Sequence, residues 1–88
     1  MSIQQPDDLF HAVVTLVSGF PLNVTILVYT KNQSVPMYVA WFHENNHINI
    51  TVYKDGDKWI EKSIEQETVN SKAIGTAIDN SQFYKTKH

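Results

Sequence analysis

The chain has 88 residues, 42 % hydrophobic and 18 % charged, with three Gly, three Pro and no Cys. Such a length holds one small core, and the composition excludes disordered, collagen-like and low-complexity chains. Seven basic residues, all Lys, against nine acids give a net charge of −2, which leaves no basic stripe for duplex nucleic acid and no guanidinium fork for phosphate.

In chain order, Pro6 to Ser18 reads as a helix. Pro6 suits the first helical position, Asp7 and Asp8 complement the positive end of the dipole, and Leu9, Val13, Leu16, Val17 and Phe20 recur at helical spacing before Gly19 and Pro21. A strand over His11–Val17 competes, because Val13, Val14, Thr15 and Val17 are β-branched. Leu22–Thr30 alternates as a strand, with Leu22, Val24, Ile26 and Val28 on one face and Leu27 and Tyr29 on the other. Met37–His43 is apolar on both faces, as a strand covered on both sides would be.

Ile48–Lys54 alternates again, Ile48, Ile50 and Val52 against Thr51 and Tyr53, and Asp55-Gly56 signals a hairpin into a strand from Lys58 to about Ile64. Thr68–Asn80 forms an amphipathic helix with Val69, Ala73, Ile74, Ala77 and Ile78 on one stripe, Glu65 and Glu67 near its start and Asn80 near its stop. Residues 82–88 are expected as a frayed or draped tail. The expectation is one small α+β domain over residues 1–88: a two-layer sandwich in the order α-β-β-β-β-α, an antiparallel meander with both helices on one face. Its buried layer comprises Leu9, Val13, Leu16, Val17, Val24, Ile26, Val28, Ile48, Ile50, Val52, Ile74 and Ile78.

The sharpest motif is His43-Glu44-Asn45-Asn46-His47, which matches H-E-x-x-H of zinc proteases. That chemistry needs both imidazoles one helical turn apart, and here the motif joins two strand-like runs through an Asn-Asn turn. Asp7 with Asp8 and Asp55 with Asp57 lack the partners of acid–base or calcium sites. No catalytic residue, metal or cofactor is therefore expected, and the reading is a non-enzyme. With no basic leader and no apolar run long enough to span a bilayer, the expected address is the cytoplasm, away from any membrane.

One feature stands above this background. If helices cover the face bearing Val24, Ile26 and Val28, the other face carries Leu27, Tyr29, Tyr53, Trp59 and either Met37, Val39 and Trp41 or Tyr38 and Phe42. Aromatic patches of this kind mark interfaces. The expected partner-binding residues are Leu27, Tyr29, Trp41, Tyr53 and Trp59, and the expected partner is a second copy of the chain or another protein. The first alternative is a platform on which single-stranded nucleic acid or carbohydrate stacks. The second is a metal-dependent hydrolase acting through His43 and His47.

Overall fold

A computed structural model describes residues 5–15, 19–31, 33–44 and 48–81. Among these residues six strands, β1 (Asp8–Thr15), β2 (Pro21–Tyr29), β3 (Met37–Phe42), β4 (Asn49–Asp55), β5 (Lys58–Glu61) and β6 (Gln66–Glu67), precede one helix, α1 (Val69–Asp79). The strands form a single open antiparallel sheet in sequence order, β1-β2-β3-β4-β5-β6. The α+β expectation holds in this coarser form. The α-β-β-β-β-α order with two helices does not, because the first element is a strand.

Asp8–Thr15 pairs along its whole length with β2, from Asp8 opposite Val28 to Thr15 opposite Pro21. Its even positions point inward: Phe10 and Val14 are buried and Ala12 packs beside them. The β-branched run Val13-Val14-Thr15 suits this pleat better than a helix. The helical stripe consequently does not form. Leu9 and Val13, expected in the core, are 50 % and 56 % exposed, and Leu16 and Val17 lie outside the described residues. Asp7 does not serve a helix dipole either. Its carboxylate accepts from the Thr30 amide, from Thr30 Oγ1 at 2.7 Å and from the Lys31 amide at 3.0 Å, which ties the start of β1 to the end of β2.

On β2 the alternation is as expected: Val24, Ile26 and Val28 are buried. Their neighbours on β3 are Phe42, Ala40 and Tyr38, all inward, so Met37, Val39 and Trp41 point out. On β4, Val52 is fully buried and Ile50 half-buried, while Ile48 precedes the strand and is exposed, contrary to its expected place in the core. The β4–β5 hairpin turns on Gly56, at φ 66°, with Asp55 opposite Lys58. Gln66-Glu67 forms the short edge strand β6 and so does not decorate the helix N-terminus.

Thr68 caps α1. Its hydroxyl accepts from the Ser71 amide at 2.9 Å, and Ser71 Oγ accepts from the Thr68 amide at 2.8 Å, a reciprocal capping box. The helix ends at Asn80. It lies across the inner face, against β1 on one side and β4 and β5 on the other. Ile74 and Ile78 are fully buried among Val24, Ile26 and Val52, each such side chain contributing about 1.5–3 kcal/mol. Among the described residues no helix is long and apolar enough to cross a membrane.

Candidate functional site

With α1 on the inner face, the outer face of the sheet is the surface from which any partner would be read. Four strands build it. β1 contributes Leu9, His11, Val13 and Thr15, and β2 contributes Asn23, Thr25, Leu27 and Tyr29. β3 adds Met37, Val39 and Trp41, and β4 adds Asn49, Thr51, Tyr53 and, at its end, Asp55. Leu9 stands opposite Leu27, which stands opposite Val39, giving an apolar row across three strands. Trp41 stands opposite Thr25 and is 42 % exposed.

From β1 to Tyr53 these outward residues include no Asp, Glu, Lys or Arg; the charged residues Asp55 and Lys58 stand opposite each other at the β4–β5 hairpin end of the face. Sheet faces that meet water usually mix in charge, both for solvation and to discourage association. Among the described residues the other charges lie at the start of β1 (Asp8), on the inner side of β4 (Lys54), in the turns, on β5 and β6, and along α1.

The expected interface residues divide. Leu27, Tyr29, Trp41 and Tyr53 lie on the outer face. Trp59 does not: it is on the inner face, 5 % exposed, under α1. The two-residue turn places Trp59 opposite Lys54. Strand alternation puts Lys54 on the side of Val52, so the indole must face the core. There Trp59 Nε1 donates to Asp79 Oδ2 at 3.2 Å, and its ring meets Tyr38 edge-on with centroids 5.6 Å apart. Lys54 Nζ lies 5.5 Å from the indole centroid and 3.7 Å from Asp79 Oδ1.

Tyr53 is held at its tip. Its hydroxyl donates to Glu65 Oε1 at 2.7 Å, and Lys62 Nζ reaches Glu65 Oε2 at 3.3 Å. The phenol is raised above its ordinary value, chiefly because its proton is shared with that carboxylate. Glu65 is correspondingly lowered, first by the Tyr53 hydrogen bond and then by Lys62. The 62–65 turn, with Glu65 at a φ of 55°, thus folds over one end of the outer face, above Ile60, which stands opposite Tyr53.

At the other end the sequence reading missed a juxtaposition. His11 Nδ1 lies 3.2 Å and His43 Nε2 2.7 Å from the same atom, Thr25 Oγ1. The imidazole centroids are 6.3 Å apart with planes at 79°. A helical reading of residues 6–18 hides this pair, because only a β1 strand brings His11 opposite Thr25. The expected partner of His43 in a metal motif, His47, lies outside the described residues. His43 and Glu44 form a bend at the end of β3 rather than a helix. No cluster of three His, Cys, Asp or Glu suited to a metal occurs among the described residues.

A groove of about 600 Å³ lies between β1 and α1, its lining including Phe10, Ala12, Ala73, Ala77, Asn80 and Ser81. It contains no acid–base pair. No family model matches the chain, and no curated protein and no solved structure is significantly similar to it.

Proposed function

We propose that this chain is a non-enzymatic binding module that self-associates, two copies packing face to face through the outer surface of the sheet. The observation that carries this reading is the uncharged centre of that face, the Leu9–Leu27–Val39 row with Trp41 beside it. A second copy is the occupant because the two-fold pairing of this uncharged centre sets no like charges against each other, whereas a charged partner would bury its own charges unpaired. Two sheets packed this way stand about 10 Å apart with interleaved side chains. The contact buries about 600–800 Å² per partner, the lower part of the standard range.

The stacking alternative is weakened by the burial of Trp59 and by Lys54 lying on the inner side. The hydrolase alternative has no helical H-E-x-x-H to stand on, since residues 43 and 44 bend away from a strand.

Light scattering on the wild type and on Leu27→Lys tests the reading. Lysine at the middle of the row would be desolvated and unpaired in the dimer yet harmless in a single chain. The expected result is a two-chain mass for the wild type and a one-chain mass for a folded Leu27→Lys. A wild type that remains a monomer at high concentration, or a variant that still dimerises, refutes it.

A further inference from the structure

We propose that His11, His43 and Thr25 form a binding site for a borderline divalent transition-metal ion of the zinc or nickel kind. The site is complete within one chain and goes beyond the self-association reading without depending on it. Its geometry comes from three adjacent strands. His11 stands opposite Thr25 in the β1–β2 register. The His43 amide donates to the Asn23 carbonyl at 3.1 Å, which holds the residue after β3 against the other side of β2. Both rings then lean over β2 and aim a nitrogen at Thr25 Oγ1, from 3.2 Å and 2.7 Å.

One hydroxyl proton serves only one of these contacts as donor, so the two imidazoles must present unlike nitrogen states to it. A metal ion removes this inequality by taking a lone pair from each. Zinc–imidazole bonds of about 2.0–2.1 Å place two ring centroids about 5–6 Å apart. The observed separation is 6.3 Å, so the rings must draw together by about 1 Å to share an ion. Thr25 keeps both nitrogens pointed at one place, and its hydroxyl then anchors a water that fills one of the remaining positions on the ion. A pair of neutral imidazoles selects zinc, nickel or copper over magnesium and calcium, which require oxygen ligands.

The test uses Trp41, which stands opposite Thr25 on the same face, while Trp59 is buried on the other. Nickel added to the wild-type chain is expected to quench Trp emission saturably at one ion per chain. The quench should reverse with chelator, compete with zinc and disappear in Trp41→Phe. His11→Asn and His43→Asn should each weaken nickel binding about tenfold or more, and His47→Asn should change it less than twofold. Zinc added to the wild type should shift the ring nitrogen resonances of both His11 and His43, a readout that needs no variant to fold. Unshifted rings, full affinity in His11→Asn, or loss of binding in His47→Asn would overturn the proposal. Because the site shares the outer face with the proposed dimer contact, the same titration is run on the monomeric Leu27→Lys: shifted rings in it with a monomeric wild type sink only the dimer, and silent rings in it sink only the metal site.

Discussion

Gly75 of α1 lies flat against the indole of Trp59 on β5, so close that a Cβ at Gly75 would overlap ring atoms Cγ and Cδ1. This contact seats the helix on the sheet, and glycine is there for its missing side chain, not for a special backbone angle. In an exposed helix interior Gly→Ala gains about 1 kcal/mol. At Gly75 the order reverses. Gly75→Ala should destabilise the fold by about 1–3 kcal/mol, as overpacking does, read as a lower denaturant midpoint with an unchanged slope. A stabilised variant would show that the helix does not sit on Trp59 as described.

Among the described residues Ser71 is the one buried side chain that is neither apolar nor aromatic. Its hydroxyl closes the capping box with Thr68 and donates to the Trp59 carbonyl at 2.7 Å. Ser71→Ala should therefore cost about 1–3 kcal/mol, because the Trp59 carbonyl loses a buried partner and the helix start loses half its cap. Hydrogen exchange should locate the loss in the first turn of α1 and in β5. Uniform exchange without local change would contradict this.

The first element offers a direct contrast. As a strand, β1 buries Val14 and exposes Val13; a helix with the stripe Leu9, Val13 and Leu16 would bury Val13. Val14→Ala should destabilise clearly, whereas Val13→Ala should move stability by less than about 0.5 kcal/mol, the range of ordinary surface changes. Ile26→Ala, at a fully buried site, should cost about 2–5 kcal/mol, and half-buried Ile50→Ala less. Equal losses at Val13 and Val14 would count against the strand.

These cases show what could be read from the residues. β2 was legible because Val24, Ile26 and Val28 alternate with Asn23, Thr25 and Tyr29, with Leu27 the exception, and α1 because its apolar stripe runs up to the stop at Asn80. β1 was ambiguous: Leu9, Val13 and Leu16 fit a helix, while Phe10, Ala12 and Val14 fit a strand, and only pairing with β2 decides between them. On β3 both faces are apolar, so the inward side was set by its partners. The inward turn of Trp59 was available from the two-residue hairpin loop, which fixes it opposite Lys54. The meeting of His11 with His43 was not available, since it depends on β1 being a strand.

Asp7 gives a pH dependence of known sign. Its pKa is lowered from 3.8, first by the Thr30 amide, then by the Thr30 hydroxyl and the Lys31 amide. A carboxyl whose folded value is depressed contributes stability that is present above its unfolded value and lost as pH falls through the folded one. Asp7→Ala should thus melt below the wild type near neutral pH. The gap should narrow as pH drops below 3.8 and close once Asp7 is protonated in the folded wild type. A gap independent of pH would assign the effect to shape and not to the carboxylate.

Self-association is tested most directly by isotope-filtered NMR on a mixture of labelled and unlabelled chains at the highest attainable concentration. Face-to-face pairing predicts intermolecular contacts from the methyl groups of Leu9, Leu27 and Val39 and from the Trp41 indole, with none from Ile74 or Ile78 under the helix. Absence of intermolecular contacts, or contacts confined to the free edge of β1 or to α1, would contradict it.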